Sequence, residues 1–296
     1  MRVFVTGATG FIGMAVLREL LGAGHEVVGL ARSADGAAAV AALGAEVRRG
    51  DLEDVAGLEA AAAQADGVIH LAFNHDFSRY LQNCADDRRV IELFGRVLAG
   101  SGRPLLVTSG LLGGAPGRAT VESDPAPSSA LSPRAASEEA AADATRAGVN
   151  VGVVRLPQVH DTRRQGLVTY AIEVARAKGV CAYVGDGANR WAAAHVLDVA
   201  RLYRLALEAA EPGACYHAVG EEGVAMRDIA ETIGRRLDLP VASVAPEAAE
   251  GHFGWLAAFA GRDSPASSAW TRERLDWRPT GRGLLADLAA LELTHA

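Results

Sequence analysis

Residues 1–20 read MRVFVTGATGFIGMAVLREL, and the stretch Thr6-Gly7-Ala8-Thr9-Gly10-Phe11-Ile12-Gly13 within them decides how the rest is read. An apolar run, RVFVT (2–6), meets glycines at GxxGxxG spacing, and a stretch long enough for a helix (11–23) follows at once. Gly7 permits a tight turn, Gly10 lets backbone approach a pyrophosphate, and Gly13 lets the helix pack on the strand. Amide N–H groups and the positive helix end then favour phosphate. A lone glycine spacing carries little weight. Strand before and helix after are the context that a dinucleotide-binding turn requires.

Outward from this turn the rhythm continues. Apolar runs at 2–6, 26–31, 45–50, 67–72, 104–109 and 149–156 alternate with helical stretches at 11–23, 34–44, 54–65, 79–100 and 134–147. Short buried strands alternating with helices predict an α/β fold with a doubly wound parallel sheet, a Rossmann fold. The rhythm breaks at 110–133, GLLGGAPGRATVESDPAPSSALSP, whose Gly, Pro and Ser content predicts a loop on the ligand side of the fifth strand. Later helices are expected at 165–178, 196–210, 225–237 and 281–293, with strands at 181–185 and 215–219. The expected division is a dinucleotide-binding domain, 1–157 with 191–220 returning to it. Residues 158–190 and 221–296 then form a smaller C-terminal substrate lobe.

Composition narrows the function. The 296 residues are 50% hydrophobic and 22% charged, an ordinary globular mixture. A net charge of -7 lacks the basic surface that nucleic acid needs. No apolar stretch approaches the roughly 20 residues that span a bilayer. Arg18 and Glu19 interrupt the N-terminal apolar stretch where a signal peptide would continue, so a cytoplasmic protein is expected. Cys84, Cys181 and Cys215 are odd in number and lack metal-ligand spacing, which predicts neither a disulfide framework nor a metal site. One count has chemical weight: Lys178 is the single lysine.

At this point the chain resembles the extended and atypical short-chain dehydrogenases/reductases and their NAD-dependent epimerase/dehydratase relatives. The resemblance covers nearly the whole chain. It rests on TGATGFIG (6–13), Asp51-Leu52, His70-Leu71-Ala72, Thr108-Ser109, Arg155-Leu156-Pro157 and Ala194-His195-Val196-Leu197-Asp198-Val199-Ala200. It implies that Asp51 and Leu52 frame an adenine and that Leu71, Ala72 and Phe73 line the ribose and nicotinamide side. It implies that residues 157–160, with Pro157 and His160, close over the nicotinamide. In related epimerases the loop matching 185–191 faces substrate, which points to Arg190 or Trp191. The resemblance also implies a homodimer through 79–100 and 134–147.

An NAD site wants a carboxylate at the end of the second strand, on the ribose hydroxyls. Here Ala31 stands there, followed by Arg32 and Ser33. A guanidinium and a hydroxyl suit a 2′-phosphate, so NADP(H) is expected over NAD(H). A solvated arginine at a strand end is the plainer alternative.

The family's usual engine is a Ser/Thr, a Tyr and a Lys four residues later. Ser109 fills the first role by position. Where the family reads Pro-Tyr-x-x-Ser-Lys, this chain reads Pro133-Arg134-Ala135-Ala136-Ser137-Glu138. Val174 stands four residues before Lys178, so no Tyr-x-x-x-Lys exists. Arg134 can stabilise an oxyanion or hold a carboxylate, and Glu138 can accept hydrogen bonds from ribose hydroxyls. The plainer alternative is an Arg134–Glu138 surface pair at i, i+4. For proton transfer the best cluster is Asn74-His75-Asp76, with Tyr80 beyond it and His160 second. Asp76 serving only as a helix cap is the alternative there. The aromatic stretch His252-Phe253-Gly254-Trp255-Leu256 suits a core better than a pocket.

The expectation is therefore an NADPH-dependent oxidoreductase of atypical type, reducing a C=O, C=N or C=C group of a small metabolite. A non-redox isomerase or cyclase, and a catalytically silent NADP-binding sensor, remain open beside it.

Overall fold

Six apolar runs form strands: β1 (Arg2–Thr6), β2 (Glu26–Ala31), β3 (Glu46–Arg49), β4 (Gly67–His70), β5 (Leu105–Gly110) and β6 (Val151–Leu156). Between them lie the helices α1 (Phe11–Gly22), α2 (Ala34–Ala42), α3 (Val55–Ala63), α4 (Tyr80–Leu98) and α5 (Ala136–Arg146). The computed structural model describes residues 1–111 and 117–292, with Phe77 described by its backbone alone. The strand Cys215–His217 joins beside β6, giving a seven-stranded sheet in the order Cys215–His217, β6, β5, β4, β1, β2, β3. Every pairing in it is parallel.

Such a sheet buries both faces of its inner strands, which is why these read as continuous apolar runs, whereas the edge strand β3 (EVRR) is partly exposed. On one face Val3, Val5 and Ile69 pack with Val16, Leu17 and Leu20 of α1 and with Leu202, Tyr203 and Ala206 of the helix Val196–Ala209. On the other, Phe4, Val68, Leu105 and Val107 meet Ile91 and Phe94 of α4 and Ala140 and Ala141 of α5. Each large side chain so buried contributes about 1.5–3 kcal/mol. Strand order reverses between β4 and β1, so the crevice for a ligand opens where β1 and β4 end. The glycine turn leaves one of those ends, and residues 71–79 leave the other.

The C-terminal part carries a three-stranded sheet, Glu221–Ala225, Arg190–His195 and Gln158–His160. A two-stranded pair, Val241–Val244 with Cys181–Val184, accompanies it. Four of these strands escaped the sequence reading. RWAAAH (190–195) is the clearest correction: expected as a polar loop running into a helix, it is a strand with Trp191, Ala192, Ala193 and Ala194 buried. It lacks the β-branched residues that mark strands. The expected helix 281–293 shortens to Leu284–Ala289, and its last position lies outside the described residues. Of the expected loop 110–133, residues 112–116 also lie outside them. Its later part is pinned: Thr120 bonds the backbone of Pro265 and Ser267, and the buried Glu122 Oε1 accepts from Thr271 N at 2.9 Å and Oγ1 at 2.7 Å. Among the described residues no helix is long and apolar enough to cross a membrane.

Candidate active site

Backbone alone shapes the glycine turn. Gly7 has φ +68°, and a Cβ there would lie 2.7 Å from Ala72 N. A Cβ on Gly13 would lie 2.1 Å from the Gly7 carbonyl oxygen, and one on Gly10 3.2 Å from it. Gly10 N donates to that same oxygen at 2.9 Å, closing the turn. Gly10 is also the N-cap of α1 and brings no side-chain acceptor. The helix end therefore faces outward with no side chain of its own cap across it.

The first turn of α2 lies against this turn, because a Cβ on Gly36 would meet Thr9 Cγ2 at 2.8 Å. Ser33 caps α2, accepting from Gly36 N at 3.1 Å. Ala31 is buried, and the exposed Arg32 guanidinium makes no hydrogen bond or ion pair with the described residues. Asp51 turns its carboxylate to its own loop, accepting from Glu53 N at 2.9 Å and Asp54 N at 3.2 Å, while Leu52 packs into the core. Phe11 and Ile12 pack against the first core cluster, as does Leu71.

From Thr6 a chain of buried polar groups runs toward the start of α5. Ala72 N donates to Thr6 Oγ1 at 3.3 Å instead of extending β4, which ends the strand at His70. Thr6 Oγ1 meets His70 Nδ1 at 2.7 Å, and His70 Nε2 meets Asp87 Oδ1 at 3.1 Å. The other Asp87 oxygen accepts from Arg134 Nη1 at 2.9 Å and from the Ser137 hydroxyl. Arg134 Nη2 donates to Thr108 O at 2.9 Å, and Nη1 also reaches Ser137 Oγ. Thr108 Oγ1 donates to His70 O at 2.7 Å and meets the Tyr203 hydroxyl at 2.7 Å. Burial works to raise the Asp87 carboxyl. The Arg134 charge and the hydrogen bonds from His70 and Ser137 outweigh it and hold the group below the usual carboxylate range.

The Arg134 guanidinium also lies 4.3 Å from the centre of the Phe73 ring. His75 meets the same ring edge-on at 5.4 Å, and Tyr80 does so at 6.5 Å. Packing around the His75 ring, then the charges of Arg134 and Arg164, push it below the ordinary histidine value despite a hydrogen bond to the Phe73 backbone. Asp76 caps the short turn Phe77–Arg79, its Oδ1 accepting from Ser78 N at 3.0 Å and Ser78 Oγ at 2.6 Å. Those bonds occupy the carboxylate that the sequence placed beside the imidazole.

Other expected residues take partners outside this hydrogen-bonded chain. Arg134 and Glu138 each take a different partner: Glu138 receives Arg155 Nε at 3.0 Å and Nη2 at 2.7 Å. Ser109 is buried, its hydroxyl directed to Gly110 O at 3.4 Å. His160, three residues past Pro157, is fully buried, with Nδ1 2.8 Å from Asp287 Oδ2 and Nε2 without a hydrogen-bond partner. Arg190 is clamped by Asp263 through Nε at 3.1 Å and Nη2 at 2.9 Å, and Trp191 is core. Lys178 holds the Gly251 carbonyl at 2.8 Å, far along the chain from the glycine turn. Phe253 and Leu256 are buried, whereas Trp255 is exposed and meets Tyr170 edge-on at 5.0 Å.

Asp87 is the residue that sequence reasoning missed. Its signal was present: Asn83, Asp87, Val90, Ile91 and Phe94 share the buried stripe of α4. A carboxylate on that stripe needs a partner.

Comparison with known proteins agrees with this architecture. An uncharacterized protein of Saccharomyces cerevisiae, YLL056C, is 45% identical over 293 residues, 98% of each chain. An uncharacterized Schizosaccharomyces pombe protein is 47% identical over 292 residues, 98% of this chain and 99% of that one. Among solved structures, the dTDP-glucose 4,6-dehydratase DesIV of Streptomyces venezuelae, with NAD and TYD bound, superposes with a TM-score of 0.78. It is 22% identical and covers 98% of this chain and 95% of its own. The Thermus thermophilus UDP-glucose 4-epimerase complex with NAD gives a TM-score of 0.73 at 23% identity, covering 98% and 97%. The model of the NAD dependent epimerase/dehydratase family matches residues 3–219, and this chain belongs to that family.

Proposed function

We propose that this protein is an NADP(H)-dependent oxidoreductase that reduces the C=O group of a small metabolite without a tyrosine–lysine pair. The observation that carries the reading is the glycine turn: three positions where a Cβ would crowd backbone, beside a helix end with no side-chain cap. That cradle fits a dinucleotide diphosphate, with Thr9, Gly10, Phe11 and Ile12 around it. Relatives in the same fold are described with NAD bound. Ala31, Arg32 and Ser33 favour the 2′-phosphorylated form here, because the unpaired Arg32 can pair with a phosphate and no carboxylate stands at position 31 to repel one.

Held there, a dihydronicotinamide would supply the hydride for the carbonyl carbon and become oxidised, and the carbonyl oxygen would need one proton to give the alcohol. The chain's own residues meet the other half of that balance. Arg134, standing where the family has its tyrosine, stabilises the developing oxyanion; as a guanidinium it does not deliver the proton. His75, next to the same Phe73 ring, gives that oxygen its proton and is reprotonated from solvent. Packing and two guanidinium charges lower the pKa of His75, so reduction should quicken as pH falls below the ordinary histidine range.

The test has two arms. Titrations should show NADPH binding more tightly than NADH, and Arg32→Ala should cost NADPH about tenfold while leaving NADH unchanged. With a panel of simple aldehydes and ketones, NADPH absorbance should fall, and His75→Ala should flatten the acidic limb of the rate profile. Substrate conversion at constant NADPH absorbance would instead favour an isomerase. Binding without any conversion would favour a sensor.

A further inference from the structure

We propose that Asp87, buried in the middle of α4, is the positioning residue of the site: it holds the Arg134 guanidinium in register with the glycine turn. The inference rests on the reductase reading for its chemistry, but its geometry stands separately. Asp87 is 2% exposed, yet its two oxygens tie together two different parts of the fold. Oδ1 faces His70 at the end of β4; Oδ2 takes Arg134 before α5 and Ser137 within its first turn. Through His70 and Thr6 the same chain ends one residue before Gly7, where an added Cβ would lie 2.7 Å from Ala72 N. The surroundings of the turn and the guanidinium are thus tied to one carboxylate.

This arrangement suits an electrophile better than a fold staple. Arg134 donates to Asp87, Ser137 and Thr108, and these bonds involve its two terminal nitrogens and leave Nε unbonded among the described residues. The planar group lies over Phe73, the ring that His75 also touches. A guanidinium fixed in plane and orientation need not reorganise when charge develops on a substrate oxygen. Displacement of such a group by about 1 Å can cost on the order of a hundredfold in rate.

Asp87→Glu keeps the charge and moves the carboxylate by one methylene, so it separates aim from mere pairing. The expected result is a folded protein with NADPH affinity within about threefold of wild type and turnover on the aldehyde and ketone panel lower by about a hundredfold. In the full-length protein with NADP+ added, Arg134 should show separate, slowly exchanging Nη signals by NMR. Asp87→Asn, which replaces a charge-assisted bond with a neutral one, should bring them together. The NMR arm needs no substrate, so it still decides the assignment if no carbonyl probe is reduced and the reductase reading fails. Arg134 signals unchanged in Asp87→Asn would overturn the proposal. Turnover in Asp87→Glu that merely tracked the folded fraction would also overturn it.

Discussion

The glycine turn and the start of α5 are linked by one chain of buried polar groups but are built from different materials. At the turn, side chains are absent: Gly7, Gly10 and Gly13 bring backbone into contact with backbone, and what faces outward is amide. At α5, side chains are dense and already matched: Arg134 is held by Asp87 and Ser137, and Glu138 by Arg155. The difference bears on what each region can bind. Uncapped amides remain available to an arriving diphosphate, whereas a neutralised guanidinium offers only its unused N–H groups and its orientation. On the proposed reading, binding belongs to the first and aiming to the second, and the two are separable by mutation.

Breaking the charged side should have the largest effect on stability. Arg155→Ala leaves Glu138, whose side chain is 10% exposed, without its partner. Loss of one member of a buried pair costs about 3–5 kcal/mol. Urea denaturation should show that loss, with nucleotide affinity of the remaining folded protein unchanged. Gly13→Ala should behave in reverse. Its Cβ would sit 2.1 Å from a backbone oxygen, and overpacking of this kind costs about 1–3 kcal/mol. The nucleotide dissociation constant should rise sharply because the turn itself moves; unaltered NADPH binding would refute the part assigned to it.

A smaller effect sharpens the comparison through pH. Burial, opposed by the Asp287 and Glu221 carboxylates, lowers the pKa of His160 below the ordinary histidine value. The unfolded chain then binds more protons in the window just below that value, so His160 contributes stability above about pH 6.5 that is lost on acidification. Stability compared at about pH 7.5 and 5.5 should fall less steeply in His160→Asn than in wild type. NADPH binding by the folded fraction should be indifferent to this change.

Particular elements show how far the sequence could be read. The strands of the large sheet were legible because both faces are covered, leaving apolar runs with turn residues between them. RWAAAH was not legible, since its alanines suit a helix and it becomes a strand only between Gln158–His160 and Glu221–Ala225. The glycines of the turn and the absence of a Tyr-x-x-x-Lys spacing could be read by position. The partners of Arg134 and Glu138 could not: their i, i+4 spacing suggests one pair on a helix surface, and the folded chain makes two with other elements.

The sequence by itself determined the alternation of strands and helices through β6, the glycine positions and the absence of a Tyr-x-x-x-Lys spacing, because each depends on neighbours within a few residues along the chain. Only the tertiary structure decided which charges meet. Asp87 lies 47 positions before Arg134, and Arg155 lies 17 after Glu138. A buried charge takes whichever partner the packing of distant elements brings within reach, and local spacing does not encode that choice.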